Sequence, residues 1–89
     1  MNYYENIGKK IAGNDKKLFN IIFVLTQNTL FGDEGIGIAE LSEILKGEVS
    51  QSKIRKSIND LKDNGILEIT KEGKKELFDI NTKRFTELE

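Results

Sequence analysis

The chain predicts an α+β fold, mostly helical, in which a helix–turn–helix runs directly into a β-hairpin. Three observations predict it. Residues 38–65, IAELSEILKGEVSQSKIRKSINDLKDNG, carry apolar residues at helical spacing on either side of a four-residue turn. Residues 66–80, ILEITKEGKKELFDI, alternate instead around a glycine, as two antiparallel strands do. Ahead of both, KLFNIIFVLTQNTL supplies one long apolar helix.

Taken in order, Tyr4, Ile7 and Ile11 sit at i, i+3 and i+7, which predicts a short amphipathic helix ended by Gly13. Residues 1–14 are read as an N-terminal helix or arm, and 15–89 as the main domain. Asn14 or Asp15 caps the next helix, at about 15–30. Leu18, Ile22 and Leu25 mark one face of it; Phe19 and Phe23 lie about 100° round the axis, and Val24 beyond the other edge. A helix apolar nearly all round needs cover on more than one side, from the N-terminal helix or from a second subunit. The aromatics Tyr3, Tyr4, Phe19 and Phe23 are accordingly either core or dimer surface. Gly32, Gly35 and Gly37, with Asp33 and Glu34, make a connector. Their spacing is not the dinucleotide-binding fingerprint, and no strand precedes them. Ile36 and Ile38 within it are candidates for a short strand against the hairpin.

Ile38, Leu41, Ile44 and Leu45 define one face of a helix from about 38 to 46, with Gly47 as its left-handed cap. Ser50 caps a further helix, about 50–64, whose Ile54, Ile58 and Leu61 face the core and which Gly65 ends. Ser52, Lys56, Asn59 and Asp63 lie roughly 180° from that stripe, flanked by Lys53 and Arg55. For the hairpin at 66–80, a four-residue loop Glu72–Lys75 pairs Leu67 with Ile80, Ile69 with Phe78 and Lys71 with Glu76. A turn over Glu72–Gly73 would set Ile69 against Glu76, so the longer loop is preferred. Lys71, Lys74 and Lys75 then face solvent, with Lys83, Arg84 and the anchor Phe85 in the tail.

Eighty-nine residues, 37% hydrophobic and 33% charged, make one small globular domain rather than a two-domain enzyme. With no cysteine there is no disulfide and no thiolate metal site; with no histidine the commonest base and metal ligand are both missing. No acidic pair, nucleophile–base motif, P-loop or EF-hand spacing is present, so neither catalysis, metal nor cofactor is expected. No apolar run approaches the ~20 residues of a membrane span, and no secretion signal opens the chain. A cytoplasmic protein is expected. The net charge of −1 is unevenly spread: residues 35–48 hold three Glu against Lys46, whereas 49–89 hold nine bases against eight acids. Local potential, not the total, governs binding.

VSQSKIRKSINDLKDNGIL, a polar cap and basic amphipathic helix closing through Leu-x-x-x-Gly-Ile-Leu, resembles the winged helix-turn-helix DNA-binding superfamily over residues 15–80. The ending GKKELFDINTKRF is similar to the wing and exit strand of small phage and plasmid DNA-binding proteins of low-GC bacteria, including replication- and transfer-origin accessory proteins; MarR-like and ArsR-like regulators share the core. The resemblance implies sequence-specific binding of double-stranded DNA by a homodimer, as a transcriptional regulator or an accessory protein at a plasmid or phage replication or transfer origin. It implies a recognition helix in the major groove, with Gln51, Arg55 and Asn59 toward bases and Ser50, Ser52, Lys53 and Lys56 toward phosphates. Lys71, Lys74 and Lys75, with Lys83 and Arg84 alongside, would form a basic wing. Asp60 and Asp63 depart from the pattern. The alternative is a protein–protein interaction module on the same scaffold, which the acidic total suits.

Overall fold

The structure is a computed structural model and describes residues 2–89. Five helices and one two-stranded sheet follow in the order α1 (Asn2–Ala12), α2 (Lys16–Phe31), α3 (Ile38–Ile44), α4 (Gln51–Asp63), β1 (Leu67–Glu72), β2 (Lys75–Ile80) and α5 (Thr82–Glu87). The fold is α+β and mostly helical, with an antiparallel hairpin near its end.

Local chemistry accounts for most boundaries. Asp15, rather than Asn14, caps α2, its side chain accepting from Leu18 N at 3.0 Å. Ser50 caps α4 by accepting from Lys53 N at 3.2 Å. The turns after α1 and α4 pass through Gly13 and Gly65, both at positive φ. α3 is shorter than expected. It stops at Ile44, and the chain turns through residues 45–48 with Gly47 left-handed at φ 85° beyond the helix rather than at its cap. That early stop corrects the expected core face: Leu41, Leu45 and Val49 are buried, but Ile44 is 52% exposed.

The hairpin keeps the register expected from its apolar face, Leu67↔Ile80, Ile69↔Phe78 and Lys71↔Glu76. Its loop is tighter. Glu72 pairs with Lys75, leaving Gly73 and Lys74 as a two-residue turn. Gly73 takes φ 65° while Lys74 keeps a negative φ, which is the type II′ arrangement whose twist suits a hairpin and which requires glycine first. Ile36 adds one bridge beside β2, exchanging hydrogen bonds with Phe78 at 3.0 and 2.8 Å. Ile38 instead opens α3. The backbone passes so close here that a Cβ on Gly35 would stand 3.0 Å from that of Leu77.

One core joins every element, from Ile7 and Ala12 of α1 through Ile21, Ile22 and Leu25 of α2 to Phe78, Ile80 and Phe85. The cover that α2 needs comes from α1, whose Gly8 lies against Ile22 and Phe19. Phe19 and Phe23 stack on each other at 6.1 Å, half-buried at the edge of this packing. The tail, expected to offer only an anchor, forms α5. Asn81 caps it by accepting from Arg84 N at 3.2 Å, and Phe85 is fully buried and stacked on Tyr4 at 6.1 Å. A six-residue helix is unstable alone, so this tertiary contact is what holds it. Thr29 ties α2 to the base of the hairpin, donating to Asp79 Oδ1 at 3.0 Å and accepting from Ile80 N at 2.8 Å. Among the described residues no helix is long and apolar enough to cross a membrane.

Candidate nucleic-acid interface

α4 organises the polar surface. At about 100° per residue, with Ile54, Ile58 and Leu61 turned inward, Gln51 and Arg55 fall on one flank and Lys53 and Asp60 on the other. Ser52, Lys56, Asn59 and Asp63 occupy the outermost ridge, all exposed.

The flank bearing Gln51 and Arg55 faces the start of α3 and the tip of the hairpin. Together with Lys74 and Lys75 these residues line one groove of about 440 Å³. Four residues expected to act together, separated by up to two dozen positions in sequence, are thus brought to one place. The same groove is also lined by Glu34, Glu40, Glu72 and Glu76. The cross-strand register explains two of these: Glu72 stands opposite Lys75, and Glu76 opposite Lys71. Lys74, at the turn itself, is the hairpin lysine without a carboxylate directly opposite.

The other flank faces the corner where α1 meets α2. Lys53 does not project with Lys56. Its Nζ meets Asp15 Oδ2 at 2.5 Å, an ion pair between the first turn of α4 and the cap of α2, with both groups about one-third exposed. The Lys53 ammonium holds the Asp15 carboxyl below its ordinary 3.8, helped by the Leu18 amide. A depression of about 450 Å³ beside this pair is bounded by Ile11, Leu18, Lys56, Asp60 and Arg84.

Lys83 and Arg84 are not beside the hairpin tip, which corrects the expectation that they extend it. They lie on α5, which follows the base of β2, roughly 20 Å of strand from the turn. The cause is the helix itself: burying Phe85 folds the tail back against α1. Lys83 is exposed there, and Arg84 reaches Glu87 at 3.8 Å. Ser50 is occupied as a cap and lies 3.3 Å from Ser52 Oγ, so its hydroxyl is partly committed to the helix.

Sequence reasoning assigned no role to the lysines of the α1–α2 corner. Lys9, Lys16 and Lys17 are exposed there, with Lys10 donating to the Glu89 carbonyl at 2.5 Å. The available signal was the pair Lys16-Lys17 at the very start of a helix, where cations are locally unfavourable. Among the described residues no group of three or more His, Cys, Asp or Glu is placed to hold a metal ion. No protein-family model matches the sequence, and no curated protein matches it.

Proposed function

We propose that the chain is a winged helix-turn-helix protein that binds double-stranded DNA, with α4 as the recognition helix and the β1–β2 hairpin as the wing. The observation that carries this reading is the meeting of Gln51 and Arg55 with Lys74 and Lys75 around one groove. Gln51 and Arg55 are the residue types that make bidentate pairs with adenine and guanine in the major groove. Lys56, Ser52 and Asn59 on the outer ridge, with Lys74 at the tip, supply contacts to phosphates or the neighbouring minor groove. The α3–α4 connection and the hairpin that follows it support the superfamily reading. The role is that of a transcriptional regulator or an accessory protein at a plasmid or phage replication or transfer origin, acting in the cytoplasm as a homodimer. Two α4 helices would then read half-sites one helical turn apart.

The test is a titration of short duplexes, including the gene's own upstream DNA, repeated across salt. Tighter binding to one sequence, with an affinity that falls steeply as salt rises, supports the reading. Absence of binding to any duplex at low salt overturns it.

A second reading follows from the four glutamates in the groove, which would repel a phosphate backbone laid across them. On this reading the same surface docks a protein partner. Reversing the charge of Arg55, Lys56, Lys74 and Lys75 together separates the two. DNA affinity collapses with the fold intact if the surface binds DNA, whereas only partner capture changes if it binds protein.

A further inference from the structure

We infer that the corner between α1 and α2, carrying Lys9, Lys16 and Lys17, is a second phosphate-binding surface that grips the DNA backbone on the side of α4 opposite the hairpin. This rests on the DNA-binding reading above. Position is the first support. Asp15 caps α2 and pairs with Lys53, so the first turn of α2 is tied beside the first turn of α4. Lys16 and Lys17 follow Asp15 directly, so their backbone enters α2 at that same corner.

Charge is the second. All three lysines are exposed, and among the described residues none forms an ion pair. Lys9 and Lys16 line a shared depression of about 340 Å³ with Gly13, Phe19 and Asn20, and no acid stands on its wall. Asp15, next to Lys16 and Lys17, is already matched by Lys53, and Glu5, one turn before Lys9 on α1, forms no ion pair among the described residues. The hairpin groove is the reverse case, with four glutamates among its three cations. Positive potential is therefore more concentrated at the corner than at the wing.

The third is a local conflict. The N-terminal end of a helix carries the positive end of its dipole, so cations in the first turn destabilise it. α2 nevertheless opens with two lysines and has no acid in its first turn. Residues that go against local preference mark function more often than folding. A bound phosphate relieves the repulsion between the two lysines, while the Asp15 carboxylate keeps its bond from the Leu18 amide.

The experiment replaces the three lysines together, Lys9→Gln, Lys16→Gln and Lys17→Gln, and compares variant with wild type by fluorescence anisotropy on labelled cognate and scrambled duplexes between about 50 and 200 mM salt. The expected result is a salt slope smaller by about 2–3 and an affinity lowered to a similar extent on both duplexes. The melting temperature stays level or rises by roughly 1–4 °C, since helix-end repulsion has been removed. Wild-type binding with an unchanged slope in the variant overturns the corner while leaving the DNA reading in place. A melting temperature that falls along with affinity also overturns it, because the lysines would then be holding the fold. If the wild type binds no duplex, the DNA reading fails first. Phosphatidylserine vesicles titrated in parallel then show whether the corner serves a membrane surface, which equally overturns the inference.

Discussion

The two flanks of α4 are built on opposite electrostatic plans. Toward the hairpin, Arg55, Lys74 and Lys75 share a groove with Glu34, Glu40, Glu72 and Glu76. Toward the α1–α2 corner, Asp15 is spent on an internal ion pair with Lys53 and Lys10 donates to the Glu89 carbonyl, while Lys9, Lys16 and Lys17 form no ion pair among the described residues. A groove with interleaved charges suits discrimination, because a wrong partner meets repulsion as readily as attraction. An unopposed cationic corner suits affinity without selectivity. On the proposed DNA-binding function, reading and holding would fall on different sides of one helix.

Breaking the scaffold beneath the corner should have the largest effect. Phe85 is fully buried against Tyr4 and is the only buried residue of α5. Phe85→Ala is expected to cost about 3–5 kcal/mol in urea unfolding, enough to unfold much of a small domain. A cost near zero would mean that α5 is a surface appendage.

The next effect sharpens the division between the flanks. Arg55→Ala should lower affinity for the preferred duplex by roughly 10–100-fold and flatten the preference over scrambled DNA, as loss of one bidentate base pairing does. Lys56→Ala, on the outer ridge, should weaken both duplexes equally and by less. Equal losses from the two variants would erase the distinction between reading and holding.

The smallest effect concerns the Asp15–Lys53 tie. Because the folded protein holds the Asp15 carboxyl below its ordinary 3.8, its contribution to stability is present above that value and is lost as pH falls through the lower folded value. Asp15→Asn keeps a capping side chain but removes the charge. Its stability should therefore change less steeply with pH below about 4 than that of the wild type, by thermal melts across that range. Parallel acid limbs would show that Lys53 gains nothing from Asp15.

How far the sequence carried these conclusions depends on the range of the interaction involved. The hairpin register was legible because Leu67, Ile69, Phe78 and Ile80 must share a face, and a turn over Glu72-Gly73 would set Ile69 against Glu76 instead. The caps at Asp15 and Ser50 were legible for the same reason, being local. The tightness of the turn at Gly73-Lys74 was not, since it rests on one backbone angle. α5 was hidden because NTKRFTELE has one apolar anchor in its middle, and its helix exists only through Phe85 packing on a residue about eighty positions away. That folding displaced Lys83 and Arg84 from the expected wing. Likewise Lys53 reads as a free cation on a helix face until Asp15, 38 residues earlier, is seen beside it. The residues of the candidate site were mostly visible as residue types; their grouping into two flanks was not.

On the proposed function the start of α4 and the hairpin tip meet duplex DNA together. The most direct measurement is a two-dimensional amide NMR titration of the isotope-labelled chain with a short duplex. The largest shifts are expected within residues 50–59 and 71–76, with a second group at residues 9–17 and little change at Lys83. Shifts confined to other surfaces, or none at saturating duplex and low salt, would contradict it.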